Sequence, residues 1–117
     1  MGQKEANLAA KCNLTISQLG GRVRRNNVGF DREKKMVYGL GTGSSDYVGI
    51  FPVGEVGVAL AVEYKTPGVK TTQEQRKFLE QFAKLGGIAI IGRSPEQVGA
   101  VLERVKEGGE WKGVVHE

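Results

Sequence analysis

Glu63 and Lys65 close the apolar run Val58-Ala59-Leu60-Ala61-Val62 with an acid and a base two residues apart. In a strand, residues two apart share a face, so both side chains project together on the side of Ala59 and Ala61. Val58, Leu60 and Val62 line the other side. Asp46 precedes a second apolar arm, Tyr47-Val48-Gly49-Ile50-Phe51, and Pro52-Val53-Gly54-Glu55 supplies the turn residues of a hairpin. A turn near Val53-Gly54 sets Asp46 across from Val62 or Glu63, about 5 Å away at Cβ. Two carboxylates at that spacing resist joint ionisation unless a cation sits between them. Oxygen-only ligation suits Mg²⁺ or Mn²⁺, which bind through one or two carboxylates plus waters and substrate phosphate. A nearby lysine orients or helps deprotonate an attacking water, or neutralises charge developing on phosphorus. The plainer alternative is a surface ion pair between Glu63 and Lys65.

Two further polar residues fall on apolar stripes. Gln75 shares a helical face with Phe78 and Phe82, and an inward amide needs a partner. That partner is a metal-bound water, a phosphate or a backbone group. Glu5 shares a face with Leu8, Ala9, Cys12, Ile16 and Leu19. It is either a site residue or a favourable acid in a first helical turn. Gly41-Thr42-Gly43-Ser44-Ser45-Asp46 matches no phosphate-loop fingerprint, because no strand-turn-helix context surrounds it. It reads as the approach that delivers Asp46, with Ser44 and Ser45 available to phosphate or backbone. Cys12 is expected as a buried, inert thiol. Trp111 is expected to pack on the body or on a partner rather than stack on a base, and His116 receives no role.

The elements that must position these residues follow from periodicity. Residues 3–19 form a helix ended by Gly20-Gly21. Residues 21–28 are extended and basic, 35–39 a short strand, and 46–65 the hairpin. Residues 72–85 form a helix with Thr71 and Glu74 as its capping box. Ile88-Ala89-Ile90-Ile91 is a buried central strand. A last helix has Ser94 as cap, Pro95 at its first position and Gln97 completing the box. The order of helix, two or three strands, helix, strand, helix predicts an α/β sandwich around a small mixed sheet. Residues 56–65, 71–86 and 88–91 make a right-handed parallel crossover. The glycines, 18 of 117 residues, fall between these segments as turn formers do. The tail from Gly108-Gly109 to residue 117 is expected to fray.

At 117 residues the chain makes one domain. One cysteine and one histidine exclude a disulfide, a multi-cysteine zinc site and histidine-based nucleophilic catalysis. The net charge is +4, and residues 1–35 hold +5 of it against −1 in the remainder. Such a basic third suggests an anionic partner, with nucleic acid first. No apolar run reaches a membrane-spanning length, and the N-terminus lacks an apolar signal segment, so a cytoplasmic location is expected. Nothing in the sequence calls for an organic cofactor.

Together, Arg25-Asn26-Asn27-Val28-Gly29, Gly43-Ser44-Ser45-Asp46, Glu63-Tyr64-Lys65, Gln75, and Gly86-Gly87 followed by an apolar strand and Arg93-Ser94-Pro95-Glu96 resemble the VRR-Nuc family of the PD-(D/E)XK superfamily. The likeness spans about residues 5–105. It implies a restriction-endonuclease-like core of order αβββαβ. It implies Asp46, Glu63 and the Tyr64 carbonyl as ligands of Mg²⁺ or Mn²⁺, Lys65 as the group that positions water, and Gln75 and Glu5 as supporting site residues. Arg22, Arg24, Arg25, Asn26, Asn27, Ser44, Ser45 and Lys70 would contact DNA. Small stand-alone members, often encoded by phages, resemble Holliday-junction resolvases. The resemblance therefore implies a homodimer cutting branched DNA in a bacterial or phage-infected cytoplasm. The rival readings are a non-catalytic nucleic-acid-binding module and a small subunit of a replication or repair assembly.

Overall fold

The computed structural model describes residues 2–117. Its elements in chain order are α1 (Gln3–Gln18), β1 (Arg22–Arg25), β2 (Gly29–Asp31), β3 (Met36–Tyr38), β4 (Tyr47–Val53), β5 (Val56–Tyr64), α2 (Gln73–Lys84), β6 (Ile88–Gly92), α3 (Pro95–Lys106) and β7 (Val115–His116). Five strands form one mixed sheet in the order β1-β4-β5-β6-β7. The pairs β1/β4 and β4/β5 are antiparallel, while β5/β6 and β6/β7 are parallel. Within it stands the expected α/β core of order αβββαβ. The strands β2 and β3 form a separate hairpin inserted between β1 and β4, of which only β3 was expected.

Alternation along β5 sorts the core into two layers. Leu60, Val62 and Tyr64 face α1 and α3, where they pack with Ala9, Cys12, Ile16, Val98, Val101, Leu102 and Val105. Ala61 faces α2 and packs with Leu79, Ala83, Ala89 and Ile91. All five residues of β6 are buried, as expected of a central strand covered on both faces. Cys12 is fully buried, and burial pushes its thiol up to about 12, so it stays protonated and inert.

Three local expectations need correction. The capping box of α2 is Thr72 with Gln75, not Thr71 with Glu74. Two overlapping boxes exist in the sequence, and the structure selects the one whose amide can both accept and donate. Gln75 Oε1 accepts from the Thr72 N–H at 2.9 Å, while its Nε2 donates to Glu63. Second, Gln97 does not complete a box with Ser94. The Ser94 hydroxyl accepts from the Gln97 N–H, but Gln97 Oε1 accepts from Arg93 N–H and its Nε2 donates to the Ile91 carbonyl. Third, the tail packs. Val115 and His116 pair with Ala89 and Ile90 as β7. Trp111 Nε1 donates to Gly86 O and Gly113 N–H donates to Ala83 O, each at 2.9 Å, so the tail is tied to the end of α2, where Ala83 O also accepts from the Gly86 N–H.

The edge strand β1 reaches β4 through a glycine. A Cβ on Gly49 would stand 1.8 Å from the Arg22 carbonyl oxygen and 2.7 Å from Val23 Cα. Backbone atoms cannot give way as side chains do. Gly49→Ala is therefore expected to destabilise the fold by about 1–3 kcal/mol in urea denaturation, with the loss centred on β1 in amide exchange.

Candidate active site

The acids meet at one end of the sheet. Tyr47 pairs with Val62, which puts Asp46 level with Glu63, as the hairpin register requires. Glu63 is 1% exposed, the most deeply buried charge-bearing side chain of the described residues. It is the last residue of β5 but one, on the α2 side, and its neighbours on that face are apolar. The first turn of α1 brings Glu5 to the same place. Carboxylate oxygens of Glu5, Asp46 and Glu63 lie within 4.8 Å of one another. Lys65 Nζ stands 3.8 Å from Glu63 Oε2. Gln75 Nε2 donates to that same oxygen at 3.3 Å. Asp46 Oδ2 accepts from the Tyr64 N–H at 3.2 Å, which ties the second acid to the strand carrying the first.

Glu63 Oε1 is buried and has no hydrogen-bond partner among the described residues. Burial raises the Glu63 pKa to about 8, and the neighbouring Asp46 carboxyl adds to the rise. Lys65 acts the other way, but at 3.8 Å it does not offset desolvation and a second acid. The orphan oxygen, three hard donors and a carboxyl that holds its proton together describe a cluster that a divalent cation fits. A metal ion would replace that proton and supply the missing partner.

The loop carrying Asp46 is held by Asn26. Its Nδ2 donates to Ser44 Oγ at 2.6 Å and to Ser45 O at 2.9 Å, and its Oδ1 accepts from Leu40 N–H at 3.1 Å. The Asn26 N–H also donates to Asp46 O at 2.8 Å. Ser44 Oγ donates to Gly41 O, and Ser45 Oγ donates to Tyr47 O. Both serine hydroxyls bond backbone here, and Ser44 Oγ also accepts from Asn26. The loop then lies on α2 at Gly43, where φ is +84° and a Cβ would stand 2.6 Å from Glu74 Cβ. Only glycine accepts both that dihedral and that approach.

A polar cleft of about 520 Å³ opens beside the acids, lined by Arg25, Asn26, Asn27, Ser44, Asp46 and Gln75 among others. It places Arg25, Asn26, Asn27 and Ser44 of the expected DNA-contacting set beside Asp46 and Gln75 of the expected catalytic set, while Glu5, Glu63 and Lys65 are not part of its lining. Arg24 is exposed on β1 outside it. Arg22 lies nearer the hairpin turn, opposite Ile50, and donates to Gly21 O and Ser17 O at the end of α1. Lys70 lines a different groove, with Arg76 and Lys77.

The chain matches the VRR-NUC domain model over residues 8–95. It belongs to the VRR-NUC family. Membership carries nuclease chemistry of the PD-(D/E)XK type, with DNA as substrate and a divalent metal in use. The mixed sheet flanked by helices agrees with the restriction-endonuclease-like fold. No curated protein matches the chain. Glu5, in the first turn of α1, and β7 lie just outside the matched span.

Sequence reasoning assigned no role to Asn13, whose Oδ1 accepts from the Tyr64 hydroxyl behind the site. Its place beside the apolar stripe of α1 was the available signal, since a flanking amide needs a partner. Nor did it single out Arg32, Lys34 and Lys35, exposed cations at the turn between β2 and β3.

Glu63 generates a pH prediction for the metal-free chain. Its folded pKa, about 8, exceeds its ordinary value of 4.5. The folded state thus holds a proton that the unfolded chain has released. The resulting stability is full below about 4.5, falls as pH rises, and is lost above about 8. Urea denaturation in EDTA should show wild type losing stability relative to Glu63→Gln across that window. Parallel curves for the two proteins would mean that Glu63 titrates normally.

Proposed function

We propose that this VRR-NUC domain is a Mg²⁺- or Mn²⁺-dependent DNA endonuclease, selective for branched DNA and acting as a homodimer. The observations that carry the catalytic part are the three-carboxylate cluster, the unpartnered Glu63 Oε1 within it, and Lys65 beside Glu63 Oε2. Asp46, Glu63, Glu5 and the Tyr64 carbonyl would hold the ion. When bound, the ion supplies positive charge and Lewis acidity at the scissile phosphate. Lys65 projects from the same face as Glu63 and orients the attacking water or neutralises charge developing on phosphorus. Gln75 holds the Glu63 carboxylate in place, and Asn26 holds the Asp46 loop. Arg25 and Asn27, at the mouth of the cleft, contact backbone phosphates, which positions DNA without reading its sequence. Arg24 adds to the same basic edge. The homodimer rests on the resemblance and on symmetry, because two cuts across a junction call for two sites related by a two-fold axis.

The test compares cleavage of a labelled four-way junction and a matched linear duplex in Mg²⁺, Mn²⁺ or EDTA. Wild type should make symmetric, metal-dependent cuts in the junction. Glu63→Gln, Asp46→Asn and Lys65→Ala should each lower the rate by about 10³-fold or more while DNA binding persists. Full cleavage by any of these variants would sink the site assignment. Equal cutting of duplex and junction would sink the selectivity alone. Binding without cleavage by wild type would favour a non-catalytic binding module instead.

A further inference from the structure

A second cluster lies beside the acids, on the far side of α2's first turn. Arg76 Nη2 is 2.8 Å from Glu117 Oε1, and Arg93 Nη2 is 3.1 Å from Glu117 Oε2. Each carboxylate oxygen therefore takes one guanidinium. Arg93 is fixed for this task, since its Nη1 donates to Val69 O at 2.8 Å and Thr66 O at 3.1 Å. Arg76 and Glu117 line a groove of about 570 Å³ together with Lys70, Thr72, Gln73, Lys77 and the carboxylate Glu80, and Arg93 reaches Glu117 from outside that lining. Its position follows from the chain: Arg76 succeeds Gln75, which bonds Glu63, and Thr66 succeeds Lys65.

Two guanidinium forks converging on two anionic oxygens form an arrangement that suits phosphate as well as carboxylate. The Glu117 carboxylate is the anion now on it, and its pKa is held below the ordinary value by Arg76 and Arg93. All three side chains are partly exposed. Exposed ion pairs contribute little and are screened by salt, so a polyanion can displace one. Losing Glu117 from the arginines does not require losing β7, which Trp111, Gly113 and the β6 pairing hold independently.

We propose that Arg76 and Arg93 form a subsite for a backbone phosphate of the bound DNA strand, and that the Glu117 side chain occupies it as an internal competitor until DNA displaces it. The proposal rests on the nuclease reading, because the phosphate it binds belongs to the substrate that reaches the acid cluster. It assigns the groove with Lys70 to DNA as an extension of the catalytic cleft.

The experiment measures binding of a fluorescently labelled duplex by anisotropy, in EDTA, over a range of salt. Glu117→Gln should tighten binding by roughly 3- to 10-fold, and Arg76→Ala should weaken it by a similar factor and lower the salt slope by about 1. Glu55→Gln is the charge control, since Glu55 sits in the β4–β5 turn at the opposite end of the hairpin. It makes the same change in net charge and should shift affinity by less than about twofold. In the Arg76→Ala background, the gain from Glu117→Gln should shrink by more than half on a logarithmic scale. Arg76 carries the test because Arg93 also ties down the loop after β5. Equal effects of Glu117→Gln and Glu55→Gln would overturn the proposal. So would a Glu117→Gln gain that persists undiminished without Arg76. Either result with junction cleavage intact leaves the nuclease reading standing, whereas a wild type that neither binds nor cuts DNA removes both.

Discussion

Glu63 places a carboxylate, 1% exposed, at the end of an otherwise apolar strand. A buried acid is unfavourable unless it is protonated, paired or bound to a cation. In the free domain it uses the first two remedies incompletely: its pKa rises, and Lys65 and Gln75 share one of its oxygens. The other oxygen is left bare. Each remaining feature of the site relates to that oxygen. Glu5 and Asp46 bring carboxylate oxygens within 4.8 Å of the Glu63 carboxylate, and Asp46 makes its ionisation harder. The same convergence becomes favourable once a divalent cation is present. In the proposed metal-dependent reading, the stability this burial costs would be recovered as metal affinity.

The scaffold is arranged around that concentration of negative charge. The α1/α3 layer holds the large aliphatic core, and the α2 layer uses small residues, Ala61, Ala83 and Ala89, beside Leu79 and Ile91. Small side chains let α2 lie close to the sheet, so Gln75 in its first turn reaches Glu63. Asn26 converts a loop of glycines and serines into a fixed support for Asp46 through hydrogen bonds from both its amide and its backbone. Gly43 then seats the loop on α2. Side chains that looked available to a ligand are occupied in holding the acids still, and preorganisation of that kind is what a hydrolytic site needs.

Positive charge surrounds the acids without entering the cluster, Lys65 excepted. Arg25 and Asn27 lie on one side, in the cleft with Asp46. Arg76, Lys77 and Lys70 lie on the other, in the groove with Glu117. The exposed cations of the β2–β3 turn extend the basic surface further. In the proposed reading, a strand of DNA would be attracted along the edges, where charge is solvated and salt-sensitive, while the acid cluster in the middle would repel it in the absence of metal. Binding and chemistry are separated in space, so variants of each can be told apart.

Much of this was legible in the chain. Strand period and turn residues determined the hairpin and put Asp46 level with Glu63, because side-chain direction along a strand is a local property. The same holds for the facing of Glu63 with Lys65, the end of α1 at Gly20-Gly21, and the buried strand at residues 88–92. What the sequence could not decide were contacts between segments far apart. It could not choose between the Thr71 and Thr72 caps, since that choice depends on Glu63 lying within reach of Gln75. It could not show that Glu5 completes the acid cluster, that Asn26 bonds the loop carrying Asp46, or that the last ten residues add a strand and send Glu117 to two arginines. In each case the local sequence permits several partners of similar energy, and the winner is set by which buried polar group the packing leaves unpaired.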